Sequence, residues 1–279
     1  MNDDIEKKDE IVSHYTTTAA FAELLKPDAY FYGTHCDFLN DPEEKVYAES
    51  LFDQFIKNNT SWKTHSKKIN RKFTLFIMSF SSKKDDINQW RAYTSQDEGG
   101  FSIQFKKSAI ENPEWYSRYP QESTWIYGFK QRIHIGWGVI DSVRYGEDEA
   151  KELFDLYIER ANENRAADFN FSKETDVICQ YWISYYYALF SGLVKNINYK
   201  DESEYRVVFV TTDKSRIEMI GEKPRRKLFS IDHKKMIAGI TVSPHGDKAK
   251  NKRLAEVLCE NVGLNPEIVH ESNVPYKGK

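Results

Sequence analysis

Cysteine is scarce in this chain. Cys36, Cys179 and Cys259 lie far apart and are odd in number, which excludes a disulfide scaffold and suits a reducing cytoplasm. Glycine (13) and proline (8) are sparse among 279 residues, so collagen-like and low-complexity chains are excluded. No apolar run approaches the roughly 20 residues that a membrane-spanning helix requires. The opening MNDDIEKKDE is charged where a secretory signal would be apolar. Neither sign of charge dominates, since Lys+Arg 40 against Asp+Glu 43 leaves a net −3, and broad electrostatic binding of nucleic acid gains no support. Aromatic side chains, by contrast, are plentiful: Phe, Trp and Tyr supply 14% of the residues within a hydrophobic share of 40%. A chain this long can bury a sizeable core with them. No repeat or long linker divides the sequence. The expectation is a flexible tail over 1–10 and a single catalytic-type domain over 11–279, in the cytoplasm.

Periodicity places the elements. Ile11 to Tyr15 reads as a strand, and Thr18 precedes Phe21, Leu24 and Leu25 at helical spacing. After the aromatic strand Tyr30-Phe31-Tyr32, Asn40-Asp41-Pro42-Glu43-Glu44 is a helix start, with a polar cap, an early proline and acids at the positive dipole end. That helix is expected to bury Tyr47, Leu51, Phe55 and Ile56. Phe73 to Met78 is apolar almost throughout, as a strand covered on both faces would be. Ile87 to Tyr93 suggests a short helix, and Gly99-Gly100 turns into a strand over Phe101 to Phe105. The stretch Asn112 to Gly138 resists a periodic reading. Beyond it come a strand at Val139 to Tyr145, an amphipathic helix carrying Ala150, Leu153, Phe154, Tyr157, Ile158 and Ala161, and a buried helix over Asp176 to Lys195. Tyr205 to Val210 and Ile237 to Val242 read as strands. A helix from about Asp247 to Val262, ended by Gly263, is expected to bury Leu254, Val257 and Leu258, before a last strand from Ile268. Irregular mixing of helices and strands indicates an α+β fold.

Generic catalytic motifs are missing: there is no G-x-x-x-x-G-K-[ST], no G-x-S-x-G and no H-E-x-x-H. Gly136-Trp137-Gly138 reads as a plain turn. His35-Cys36-Asp37 brings three metal-ligand types together, but neighbours on an extended segment point to opposite faces, so no metal site is expected. Lys223 to Lys227, KPRRK, reads as a solvated loop. Glu202-Ser203-Glu204 stands at the mouth of a strand, where alternation would send both carboxylates to one side. Such a pair can stabilise a sugar cation and polarise an attacking hydroxyl. Ser79-Phe80-Ser81 repeats the spacing with hydroxyls.

Taken in order, these blocks resemble a family. Ser13-His14-Tyr15-Thr16, Phe38 to Glu43, Met78 to Ser81, Gln89 to Tyr93, Gly99 to Phe105, Lys195 and Glu202 to Arg206 are similar to the bacterial domain of unknown function "twenty-nine seventy-one", with Asn198-Tyr199 departing from the family's W-x-Y. The same blocks resemble, more loosely, those of ADP-ribosyltransferases. That second resemblance implies packed antiparallel or mixed sheets with surrounding helices and NAD as a substrate. On it the favoured reading is a bacterial toxin or anti-phage effector that acts on a protein, RNA or DNA acceptor, with an antitoxin as a candidate partner that nothing in the chain identifies. Under it, Glu204 stabilises the ribose cation and Glu202 orients the acceptor. His14 with Tyr15, Ser79, Ser81, Trp90, Arg91 and Tyr93 would bind NAD. The alternatives are a nucleic-acid-binding or nucleic-acid-cleaving defence protein, resting on the aromatics from Trp115 to Trp137 and on KPRRK, and a non-catalytic interaction module.

Overall fold

The computed structural model describes residues 9–41, 43–64, 69, 73–112, 128–129, 132–135, 138–169, 175–211 and 217–275. Its first elements are β1 (Ile11–Thr17), α1 (Thr18–Leu24), β2 (Tyr30–His35), α2 (Glu43–Asn58), β3 (Thr74–Ser81), α3 (Ile87–Tyr93), β4 (Gly100–Lys106) and α4 (Lys107–Ile110). Then follow β5 (Gly128–Phe129), β6 (Arg132–Ile135), β7 (Gly138–Ser142), β8 (Arg144–Tyr145), α5 (Gly146–Phe169), α6 (Thr175–Leu193) and β9 (Val194–Lys195). The last are β10 (Glu204–Thr211), β11 (Ile217–Ile220), β12 (Lys223–Ser230), α7 (His233–Met236), β13 (Ile237–Val242), α8 (Lys248–Asn261) and β14 (Val269–Glu271). Pro42, most of the Trp115 to Trp137 stretch, Gly136-Trp137 and most of the 1–10 tail lie outside the described residues.

The chain forms two compact units, one of Met1–Phe31, Ser79–Pro120 and Phe229–Lys279, the other of Tyr32–Met78 and Gln121–Leu228. In the first, the strand order is β14-β13-β4-β1, followed by the Ser79–Ser81 end of β3. β1 runs antiparallel to β4 over its whole length, from Ile11 opposite Lys106 to Thr17 opposite Gly100. β14 joins β13 in parallel, so the pairing is mixed. The helices start on side-chain caps: Thr17 accepts from the Ala20 amide, Asp86 from Asn88 and Gln89, and Asp247 from Lys250. Phenylalanines fill the core. Phe21 stacks on Phe101 at 3.8 Å between centroids, and Phe31 meets Phe105 and Phe229 at 5.0 and 4.7 Å. α8 corrects the expected core face, because Asn251, Ala255 and Cys259 are buried while Val257 is exposed. The buried stripe thus lies one residue on from the one that the leucines mark.

In the second unit, the Thr74–Met78 part of β3 is followed by β10, β7, β6 and β5. β10 lies antiparallel to β7, Tyr205 opposite Ser142 through Phe209 opposite Gly138. α2, α5 and α6 bury their apolar faces together, with Phe52 at 5.2 Å from each of Phe154, Tyr187 and Phe190. Burial of such rings dominates the energetics of a core. The expected strand over 139–145 is broken at Val143, whose amide donates to the Glu204 carbonyl at 3.0 Å. KPRRK corrects its expectation: it is not a loop but the start of β12, paired antiparallel with β11 across a turn that holds Gly221 at φ 62°. Arg226 there is buried, with its guanidinium 4.4 Å from the Phe209 ring centre. The α+β class, the mixed pairing and the packed helices are as expected; the topology by itself does not single out an ADP-ribosyltransferase.

Candidate functional site

Three pieces of the second unit carry charge inward. α2 begins Glu43-Glu44, and Glu44 lies on the same helical stripe as Ala48, Leu51 and Phe55, so it is buried with them. α6 ends at Leu193 and passes directly into β9, which leaves Lys195 only 3% exposed. β10 opens with Glu204 and Arg206 on alternate positions of one face, both buried. Between them, the 3₁₀ segment Ile197–Glu202 ends on Ser203 in the left-handed region, φ 47°. That conformation reverses the chain. Glu202 therefore does not follow strand alternation, yet its carboxylate still converges with that of Glu204 on a shared ammonium.

The contacts are close. Lys195 Nζ lies 2.5 Å from Glu202 Oε2, 3.2 Å from Glu44 Oε2 and 3.7 Å from Glu204 Oε1. Arg206 donates from Nε to Glu204 Oε2 at 2.6 Å, from Nη2 to Glu44 Oε2 at 3.1 Å and from Nη1 to the Glu44 carboxylate and, at 3.0 Å, to the Gly192 carbonyl. Gly192 makes that last contact possible: a Cβ there would stand 2.7 Å from Val208 Cγ1. The helix approaches β10 more closely than alanine permits. The Glu204 amide donates to the Tyr145 hydroxyl at 2.8 Å, and burial keeps that hydroxyl protonated well above its ordinary range.

Three carboxylates share two cations, so one negative charge is in excess when all are ionised. Burial pushes Glu44 up, but the charge and hydrogen bonds of Arg206, with Lys195 behind them, hold it below the ordinary carboxylate range. Burial lowers the Lys195 ammonium, and the Glu204, Glu44 and Glu202 carboxylates more than offset this and raise it. Glu202 titrates the other way. Burial and the negative charge of Glu204 raise it despite the Lys195 contact. Its side chain is also the only one of the three carboxylates here with appreciable exposure, 25% against 4% for Glu44 and Glu204. Tyr199 lies at this edge, with Lys195 Nζ 4.9 Å from its ring centre. The arrangement leaves one carboxylate, that of Glu202, partly open to solvent on a buried, ion-paired base.

The residues expected to bind NAD lie in the first unit, apart from the glutamates. His14 donates from Nδ1 to the Ser79 carbonyl at 2.9 Å, because a carbonyl oxygen can only accept. The Tyr15 hydroxyl donates to the Lys83 carbonyl and accepts from the Asp86 amide. Ser81 is buried and accepts from the Lys83 amide at 3.1 Å. Trp90 is fully buried, its indole N–H held by Asp85 at 2.7 Å. Tyr15, Ser81 and Trp90 thus serve the packing of their own unit, whereas His14, Ser79, Arg91 and Tyr93 keep exposed surface. The expectation that His35, Cys36 and Asp37 diverge is corrected as well. A 3₁₀ turn replaces the extended segment at Cys36–Phe38 and brings their ligand atoms within 4.8 Å of one another.

Sequence reasoning missed Glu44 and Tyr145. For Glu44 there was a signal, a charge standing on an otherwise apolar helical stripe, which a fold tolerates only when that charge is paired. For Tyr145 there was none.

The fold is α+β with a buried ion-pair cluster that opens at Glu202. Residues 89–207 match the family described as "Protein of unknown function (DUF2971)". The match takes in the blocks Gln89 to Tyr93, Gly99 to Phe105, Lys195 and Glu202 to Arg206, and it supports the first resemblance over that stretch. No comparison supports the resemblance to ADP-ribosyltransferases. Neither the curated proteins nor the solved structures yield a match. Among the described residues, no helix is long and apolar enough to cross a membrane.

Proposed function

We propose that the chain is an NAD-dependent ADP-ribosyltransferase, acting as a bacterial toxin or anti-phage effector on a protein or nucleic-acid acceptor. One observation carries this reading: Glu202 and Glu204 converge on Lys195, with Glu202 reaching solvent and Glu204 locked by Arg206. In the reaction, the bond from the anomeric carbon to nicotinamide breaks with its electron pair leaving on nicotinamide, and positive charge develops on the ribose. A fixed carboxylate beside that ribose stabilises the charge, as in glycoside hydrolysis. An acceptor oxygen or nitrogen then attacks the same carbon and loses its proton.

Exposure distinguishes the two carboxylates in this reading. Both oxygens of Glu204 face cations inside the protein, so Glu204 orients the frame. Glu202, to which the resemblance gives only acceptor orientation, is the group we assign to the ribose, with Lys195 favouring its charged form against burial and Glu204, and Tyr199 at its edge. The test is incubation with NAD labelled in the adenosine moiety. Free nicotinamide together with label on an acceptor is expected; no nicotinamide release from folded protein, under any acceptor supplied, overturns the reading.

A further inference from the structure

We propose that His35, Cys36 and Asp37 form a binding site for one divalent transition-metal ion of the zinc class. This goes beyond the reading of the carboxylate cluster and does not depend on it. β2 stops at His35 and the next three residues take a 3₁₀ turn, so consecutive side chains fan by about 120° instead of alternating. The result is a three-donor corner. Asp37 Oδ1 lies 3.5 Å from Cys36 Sγ, and Asp37 Oδ2 lies 3.8 Å from His35 Nδ1. A tetrahedral ion bonded at about 2.0–2.3 Å to nitrogen, oxygen and sulfur holds its donors about 3.3–3.8 Å apart. Each contact is of that length, the cysteine reaching one oxygen of the Asp37 carboxylate and the histidine the other. With one donor atom taken from each residue, all three lie within 4.8 Å of one another.

The corner already attracts a cation. Lys45 Nζ sits 2.8 Å from Asp37 Oδ1, on a side chain that is 37% exposed and able to swing into solvent. An arriving ion displaces it. The Cys36 thiol donates its proton to Asp37; on binding, a sulfur–metal bond forms and that proton passes to solvent, with no change of oxidation state. Coordination through His35 Nδ1 replaces the long hydrogen bond that this nitrogen accepts from the Asp37 amide at 3.2 Å. The Asp37 side chain is 55% exposed, so the fourth position opens to water, as in sites that keep three protein ligands. Soft sulfur beside imidazole and carboxylate favours zinc, cobalt or nickel over magnesium or calcium.

The test is titration of the full chain with cobalt(II), read in absorption. The expected result is saturation at one equivalent, with visible bands of four-coordinate cobalt and a near-ultraviolet sulfur-to-cobalt charge-transfer band, both displaced by zinc. Cys36→Ser should abolish the charge-transfer band. Because Cys36 is buried, the exposed Asp37→Asn is the companion variant: it keeps the fold by circular dichroism and weakens binding by roughly tenfold or more. Lys45→Met should tighten binding a few-fold, the size of an exposed ion pair. Absence of the charge-transfer band, its persistence in Cys36→Ser, or unchanged affinity in Asp37→Asn each overturns the proposal.

Discussion

Arg206 is the residue on which the cluster depends. It is fully enclosed and satisfies two buried carboxylates and one carbonyl. Removing one partner of a buried ion pair leaves uncompensated charge in a medium that solvates it poorly, at a cost of about 3–5 kcal/mol. Arg206→Met is expected to lose that much stability in chemical denaturation, and Glu204→Gln, which keeps shape and hydrogen bonding, about 2 kcal/mol. If Arg206→Met unfolds at the same denaturant concentration as the unaltered protein, the cluster is not what holds these strands and helices together.

The two perturbed carboxylates make opposite contributions as pH changes. Glu44 is depressed in the folded protein, so its stabilisation is present above the ordinary carboxylate value and is lost as pH falls through the depressed one. Glu202 is raised, so its contribution is present below the ordinary value and is lost as pH rises through the raised one. On acidification Glu202 takes up its proton first. NAD turnover is therefore expected to decline while far-ultraviolet circular dichroism is still native, with unfolding only below the ordinary carboxylate range. Activity and fold lost in one coincident transition would contradict the separate roles of the two glutamates.

At the scale of elements, the junction from the 3₁₀ segment to β10 turns on Ser203, the only non-glycine residue with positive φ among those described. A β-branched side chain is a poor fit to that region, whereas glycine enters it freely. Ser203→Val should cost about 1–2 kcal/mol and move Glu202 away from Lys195, and Ser203→Gly should be neutral or slightly stabilising. Thermal denaturation checks both; equal melting temperatures would show that the turn does not need this conformation.

Elements with a clean apolar signal were legible in the sequence: the run Phe73 to Met78 and the stripe Ala150 to Ala161. KPRRK was misread because clustered charge signals a loop. Yet β-pairing with β11 accommodates it, with Arg226 over Phe209 and Lys227 3.6 Å from Glu218. The α8 face was misread because its buried stripe is made of Asn251, Ala255 and Cys259, small or polar residues that hydrophobicity undervalues.

At the scale of the whole molecule, the α+β class followed from composition and irregular alternation, but the site did not follow from either. Glu44 and Glu204 stand 160 positions apart in sequence, and only tertiary structure shows that one arginine binds both. The E-x-E spacing was visible, whereas the division of labour proposed for it was not, because that proposal depends on which carboxylate Arg206 covers. Nicotinamide release by purified Glu202→Gln, compared with the unaltered protein at matched melting temperature, tests that division most directly. The account predicts an unchanged melting temperature and turnover lower by about a hundredfold or more. Turnover equal to that of the unaltered protein would contradict it.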